Sequence, residues 1–300
     1  MSRQGDTIIR NAKCLPRWRS LLFVPAHVPR FVEKAHDRGA DGIILDLEDS
    51  VPLEQKGEAR RLLAKSVPKV GREGASVLVR VNSGLRALAA DLDAAVVAGV
   101  NALVLPKAES ADWIAEIAEA VSELERERNL IEGHIRFLVQ IETPGALQRL
   151  GAIASAHPRV AAMALGPEDF STCVGGVPEF DLLLNPNLSV LFAARAAGLL
   201  PLGFVGSIGD FSDRDKMRDA AVQARRLGFV GALAVHPTQV PVFNEAFSPT
   251  DQELEWARRV IAAENDAGAR GMSAFSLNGR MIDPPVVRRA HELIALAGEN

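Results

Sequence analysis

Eight short apolar runs punctuate this chain, and between them apolar residues recur at three- and four-residue spacing. The runs cover 20–24, 42–45, 76–81, 102–105, 136–141, 160–165, 201–205 and 232–235. Runs this short, bounded by Gly and Pro, predict parallel strands buried on both faces. The intervening stretches predict amphipathic helices. Leu85, Leu88, Leu92 and Val96 share one helical face, and Ile114, Ile117, Val121 and Leu124 share another. Pro29 stands where a helix begins, and Gly39, Gly99, Gly198 and Gly228 where helices end. Eight strand–helix units are the number that closes a TIM (β/α)8 barrel. An open doubly wound sheet is the alternative. No Gly-x-Gly-x-x-Gly follows the first strand, which argues against its dinucleotide-binding form.

The rhythm changes after residue 247. Thr250 and Glu253 stand at capping-box spacing, and Leu254, Ala257 and Ile261 supply an apolar stripe behind them. A turn-rich stretch from Ala269 to Pro285 follows, then a last helix from about Val286. The expected organisation is an N-terminal arm (1–17), a barrel (18–247) and a C-terminal helical appendage (248–300).

Composition narrows the partners. A hydrophobic fraction of 48% supports a large core. The net charge of -4, a pI near 5.9 and the lack of a basic block give no support to nucleic acid or an anionic membrane as partner. Cys14 and Cys173 make neither a disulfide framework nor a zinc site, and suit a reducing cytoplasm. No apolar stretch reaches the ~20 residues of a membrane span, and the run at 21–24 is too short for a signal-peptide core. The expectation is a soluble cytoplasmic protein acting on a small molecule.

In a parallel barrel, reactive groups gather at the carboxyl ends of the strands. Here Asp46, Glu48 and Asp49 follow strand two, and Arg80 and Asn82 close strand three. Lys107 follows strand four, Glu142 strand five, Asp169 strand six and His236 strand eight. Neighbouring strands lie roughly 5 Å apart, so Glu142 and Asp169 can meet over one edge of the sheet. Two carboxylates there, with water and substrate completing the shell, suit a hard divalent cation such as Mg²⁺. Helix capping and solvated loop acids are the competing readings. Arg80 sits inside an apolar strand, where a charge is costly unless paired. Either it pairs with Asp46 or Glu48, or its fork takes a substrate carboxylate or a developing enolate oxygen. Glu48 and Asp49 divide between hydrogen-bonding a metal-bound water and capping the next helix. Lys107 and His236 shape the mouth, and His27 and Cys173 lie near it.

These residues carry a resemblance. The segments Arg19-Ser-Leu-Leu-Phe-Val-Pro25, Leu45-Asp-Leu-Glu-Asp-Ser-Val51, Lys56 with Glu58-Ala-Arg60, Val79-Arg-Val-Asn82 and Leu105-Pro-Lys107 run in order along the chain. Ile141-Glu-Thr143, Gly166-Pro-Glu-Asp-Phe170, His236-Pro-Thr-Gln239 and Gly279-Arg-Met-Ile-Asp-Pro284 continue them. Together they resemble the citrate lyase β-subunit-like group of the HpcH/HpaI aldolase superfamily, which includes malyl-CoA and citramalyl-CoA lyases. The resemblance implies Glu142 and Asp169 as Mg²⁺ ligands, Arg80 as a catalytic and substrate-binding residue, and Phe23 and Lys56 as substrate contacts. It implies Asp283 as the acid/base group, delivered in some relatives from a neighbouring subunit, and hence a homotrimer or homohexamer.

Two departures stand out. Ala26-His27 replaces a glycine common after Phe-Val-Pro, and Gly231-Ala232 replaces a common Gly-Lys. Both raise the expectation that a CoA tail or acyl group is held differently. The implied chemistry is Mg²⁺-dependent, Claisen-type cleavage or formation of a 3-hydroxyacyl-CoA carrying a carboxylate, with a 2-oxo acid and an acyl-CoA as the other side. Three alternatives remain: a metal-dependent aldolase on free 2-oxo acids, a citrate lyase complex β subunit, and a non-catalytic ligand-binding homologue.

Overall fold

The computed structural model describes residues 15–268, 275–277 and 279–298. Cys14 and most of the expected N-terminal arm lie outside the described residues. Eight parallel strands form one sheet: β1 (Ser20–Pro25), β2 (Gly42–Asp46), β3 (Ser76–Arg80), β4 (Ala102–Leu105), β5 (Arg136–Ile141), β6 (Val160–Leu165), β7 (Leu200–Leu202) and β8 (Ala232–Ala234). Their order is β7-β6-β5-β4-β3-β2-β1-β8. A parallel bridge between Leu202 and Gly231, with Gly203 N–H donating to the Gly231 carbonyl at 2.8 Å, joins the two ends. The barrel closes. Gly231 is required at that seam, because a Cβ there would lie 1.8 Å from the Trp18 carbonyl oxygen.

Strand alternation decides what fills the barrel. Leu21, Ile44, Leu78, Val104, Leu138, Ala162, Ala164, Leu202 and Leu233 pack into one buried cluster. Two residues further along the same strands the inward positions become Phe23, Asp46, Arg80 and Gln140. The interior therefore turns from apolar to charged as it approaches the carboxyl ends.

Helices α1 (Pro29–Ala35), α2 (Lys56–Val70), α3 (Leu85–Ala95), α4 (Ala111–Glu127), α5 (Pro144–Leu147), α6 (Leu150–Ala154), α7 (Pro167–Val174), α8 (Phe180–Ala196), α9 (Arg214–Leu227) and α10 (Gln239–Ala246) surround it. Ser110 caps α4 by accepting from the Trp113 N–H at 3.2 Å, and Ile114, Ile117 and Val121 form its buried face. Glu125, on the same helix, is fully buried against Arg159, with Nη2 2.6 Å from Oε2. It also accepts the N–H groups of Gly133 and Ile135, tying the loop before β5 to α4. The expected strand at 201–205 is shorter and earlier, Leu200–Leu202.

The chain separates into two compact units, up to Asn244 and from Glu245 onward. The second contains α11 (Asp251–Gly268), an antiparallel hairpin of β9 (Phe275–Leu277) and β10 (Arg280–Ile282), and α12 (Pro284–Ala297). Its own core joins Ala257, Val260, Ile282, Val287, Ala290 and Leu293. Thr250 and Glu253 form the expected reciprocal cap, at 2.8 and 3.3 Å. The hairpin was not anticipated by the turn-rich reading of this stretch. Among the described residues, no helix is long and apolar enough to cross a membrane.

Candidate active site

Phe23, Asp46 and Arg80 come together where β1, β2 and β3 end. Arg80 presents its Nε–Nη2 edge to Asp46, with both bonds at 2.7 Å. Its guanidinium carbon lies 4.6 Å from the centre of the Phe23 ring, a cation–π contact that fixes the plane. Asp46 also accepts from the Glu48 N–H at 2.9 Å and from the Ser50 backbone N–H and hydroxyl. Burial alone would raise the Asp46 pKa, but these donors, led by Arg80, hold it below the usual carboxylate range. Burial would lower the Arg80 pKa, and the Asp46 bonds more than offset it, so the guanidinium stays charged. The pairing reading of Arg80 holds: one edge is bonded to Asp46, and Nη1 lies 3.1 Å from Glu48 and 3.9 Å from Asp49.

Glu48 is buried and Asp49 exposed, and neither caps a helix: Pro52 and Gln55 occupy the cap positions that follow. Glu48 Oε1 accepts from Lys107 Nζ at 2.9 Å. Its Oε2 has no hydrogen-bond partner, since Nη1 of Arg80 is near but not aligned. Burial, partly offset by Arg80 and Lys107, raises its pKa. Lys56 anchors this loop, directing its ammonium at the carbonyls of Leu47 and Glu48, both at 2.9 Å, and at Asn82 Oδ1 at 2.7 Å. Three bonds use all its hydrogens. Lys56 is thus built to hold the loop; a direct substrate contact would require breaking one of those bonds.

Glu142 and Asp169 come from adjacent strand ends, with Ile141 paired to Leu165 in the β5–β6 register. Pro144 and Pro167 start α5 and α7 immediately afterwards, and Asp169 stands in the first turn of α7. Glu142 is 2% exposed. Desolvation, reinforced by the charges of Glu48 and Asp169, pushes its carboxyl up to about 8. Gly166 leaves room for it, because a Cβ there would lie 2.5 Å from Glu142 Cγ. Lys107 bonds Glu142 Oε2 through its backbone N–H at 3.1 Å. Gln140, inward on β5, has a buried Oε1 without a partner.

This arrangement fits a hydrated divalent cation. Among the described residues, no three His, Cys, Asp or Glu side chains cluster at metal-ligand spacing, so water and substrate must complete any shell built on Glu142 and Asp169. Mg²⁺ keeps several waters and takes only one or two carboxylates. Glu48 Oε2 and Gln140 Oε1 are buried without a hydrogen-bond partner, and a cation would offset the burial and repulsion that raise Glu142.

His236 stacks on Phe211, with centroids 4.4 Å apart and planes at 5°, and its Nδ1 meets Thr238 Oγ1 at 2.8 Å. Cys173 is exposed near the end of α7. His27, just past β1, has a buried Nδ1 without a partner. Ala232 opens β8, pairs with Ser20 and is fully buried, at the end of the strand away from the mouth. Asp283 caps α12, its Oδ1 accepting from Val286 N–H at 3.3 Å. Pro284 and Pro285 begin that helix, two residues before the expected start at Val286, because a missing N–H costs nothing in the first turn.

Fold and site together define a (β/α)8 barrel with a carboxylate-rich, arginine-bearing mouth. The matches to known proteins make that class specific. Residues 19–237 match the HpcH/HpaI aldolase/citrate lyase family, and the chain belongs to that family. It is 33% identical over 286 residues to the citrate lyase β subunit of Leuconostoc mesenteroides subsp. cremoris, covering 94% of each chain. It is 31% identical to the L-malyl-CoA/β-methylmalyl-CoA lyase of Cereibacter sphaeroides, covering 93% of this chain and 94% of that one. Among solved structures it is similar to Mycobacterium tuberculosis CitE in complex with magnesium, acetoacetate and coenzyme A. That similarity has a TM-score of 0.74 and 31% identity, over 96% of this chain and all of the other.

Proposed function

We propose that this protein is a Mg²⁺-dependent carbon–carbon lyase. It cleaves, or forms, a 3-hydroxyacyl-CoA bearing a carboxylate, with a 2-oxo acid and an acyl-CoA as the other side of the reaction. The observation that carries this is the buried Glu142, raised by desolvation, beside Asp169 and in the same charged cluster as Arg80. Glu142 and Asp169 would hold the ion. When bound, it supplies a Lewis acid for the substrate's hydroxyl and carboxylate oxygens.

The chain's own residues do the rest. Asp46 and Phe23 hold the guanidinium in one plane, so the Nη1 side of Arg80 is preorganised for negative charge on the substrate. Glu48 accepts hydrogen bonds inside the mouth, and Lys56 keeps its loop in place. On cleavage the hydroxyl gives its proton to solvent and becomes the carbonyl of the 2-oxo acid as the carbon–carbon bond breaks, and the pair from that bond becomes the enolate of the acyl thioester. Asp283 protonates the enolate carbon, and removes that proton in the reverse direction. In this reading Asp283 serves the barrel of a neighbouring subunit in a homotrimer or homohexamer. A reducing cytoplasm suits the exposed free Cys173.

The test is a cleavage assay with Mg²⁺ over malyl-, methylmalyl-, citramalyl- and citryl-CoA, with free 4-hydroxy-2-oxo acids alongside. Thioester turnover that disappears in Glu142→Gln and Asp169→Asn, with unchanged circular dichroism, is the expected result. Turnover confined to the free acids overturns the thioester assignment. Asp283→Asn mixed with Glu142→Gln should regain part of the activity, since hybrid assemblies contain some sites with neither defect. No rescue in verified hybrids removes the shared site.

A further inference from the structure

Lys107 has a backbone that few lysines adopt. Its φ is 51°, one of two positive values outside glycine among the described residues. A long side chain in the left-handed region is uncommon and worth a physical explanation. The conformation lets one residue serve two buried carboxylates. The backbone N–H meets Glu142 Oε2 at 3.1 Å, while the ammonium meets Glu48 Oε1 at 2.9 Å and stands 3.9 Å from the same Glu142 oxygen. Carboxylates and cations then alternate from Asp46 through Arg80, Glu48 and Lys107 to Glu142. Within that series Arg80 is fixed by its fork on Asp46 and its ring contact with Phe23. The Lys107 side chain is 37% exposed against 12% for Arg80 and 7% or less for the three carboxylates. It is the one member with both a flexible stem and an open path to solvent.

We propose that the Lys107 ammonium is a resident counter-cation of this mouth. In the metal-free protein it bonds Glu48 and stands beside Glu142, and it moves away from Glu142, while keeping Glu48, when a divalent cation binds. The inference rests on Glu142 and Asp169 being the ion's ligands. An ammonium 3.9 Å from a ligand oxygen opposes a second cation there, and in a partly desolvated site that opposition is not screened away. Lys107 is therefore a positioning residue that makes metal uptake competitive.

The experiment is Mg²⁺ titration calorimetry, without substrate, on the full chain and on Lys107→Met and Lys107→Arg. Thermal unfolding is measured in EDTA and in saturating Mg²⁺. Removing the competing charge should tighten Mg²⁺ binding about tenfold in Lys107→Met. Its Tm should fall in EDTA and recover more on adding Mg²⁺ than the parent gains, because tighter binding to the folded state raises stability by mass action. Lys107→Arg, which keeps the charge, should stay within about twofold of the parent. A lysine that only braces the loop would lower Tm equally with and without Mg²⁺. Equal or weaker Mg²⁺ binding by Lys107→Met, with the parent binding normally, overturns the inference alone. If the parent binds no Mg²⁺ either, the metal assignment falls with it.

Discussion

Gly166→Ala puts the positioning of Glu142 under direct test. Gly166 has φ -90° and ψ 95°, in the broad region open to alanine, so the backbone itself is no obstacle. The added methyl is. It would lie 2.5 Å from Glu142 Cγ, 2.8 Å from Oε1 and 3.0 Å from Cδ, whereas non-bonded carbons rest at about 3.5–4.0 Å. Glu142 must therefore move by roughly 1 Å, and it is held by its buried setting and the Lys107 N–H. Forced overpacking of this kind costs about 1–3 kcal/mol of stability. In a chain of this size that appears as a drop in Tm of a few degrees. A displacement near 1 Å at a reacting centre costs ~100-fold in rate, so kcat should fall far more than the fold suffers. Calorimetric Mg²⁺ affinity, kcat on the thioester substrate and Tm are read on the same preparation. Parent-like Mg²⁺ affinity and kcat in a folded Gly166→Ala protein would refute the placement of Glu142 as an ion ligand beside β6.

Arg80→Lys should lose activity nearly as fully as Arg80→Ala, because an ammonium cannot satisfy both Asp46 oxygens and still face the substrate; full activity with lysine would reduce Arg80 to charge balance. Arg80→Ala should also lose about 3–5 kcal/mol of stability, since it strands the buried Asp46, which chemical denaturation will show. The Glu142 carboxyl is raised from 4.5 to about 8. A folded pKa above the unfolded one gives stability that is complete below the unfolded value and lost as pH rises through the folded value. Urea unfolding of the metal-free protein should thus weaken between pH 4.5 and 8, and Glu142→Gln should flatten that slope; an unchanged slope contradicts the burial argument. Glu125→Ala should destabilise the barrel by about 3–5 kcal/mol by leaving Arg159 buried and unpaired, while Arg80 chemistry in the folded fraction stays intact.

The barrel was legible because its strands are short apolar runs and its helices carry a 3.6-residue stripe, both local patterns. The capping box at Thr250 and the proline helix starts at Pro29 were legible for the same reason. Arg80 could be recognised as needing a partner, since a charge inside Val-Leu-Val-Arg-Val has no other way to persist, but choosing Asp46 over Glu48 required the β2–β3 register. What stayed hidden is the set of contacts with large sequence separation. Lys107 and Glu48 are 59 positions apart, and nothing local marks them as partners. Lys56 matched a motif, yet only the coordinates show its three hydrogens directed at the loop. Gly166 and Gln140 were missed for opposite reasons. A glycine after a strand reads as a turn, and a lone glutamine in an apolar strand gives no sign of which face it takes until the parity of Leu138 is known. The hairpin at β9–β10 has three residues per strand, too few for alternation to show.

Charge accounts for the design of this mouth better than any single residue does. Four carboxylates, Asp46, Glu48, Glu142 and Asp169, accompany two cations, Arg80 and Lys107. With all of them ionised the group carries two excess negative charges, and the exposed Asp49 beside Arg80 adds a third, so one divalent ion offsets most of the excess. A third lysine or arginine would offset part of it permanently and weaken the reason for an ion to bind. A missing carboxylate would leave the ion too weakly held. On the proposed reading, an incoming 2-oxo acid would add a negative charge of its own, to be met by the Nη1 side of Arg80. The resident Lys107 adds a condition to that balance: the ion must displace part of a contact already made, so occupancy depends on ion concentration within a range that Glu142 and Lys107 set between them. On the proposed reading, a mouth built this way remains folded without its ion and would gain catalytic geometry only with ion and substrate carboxylate present together.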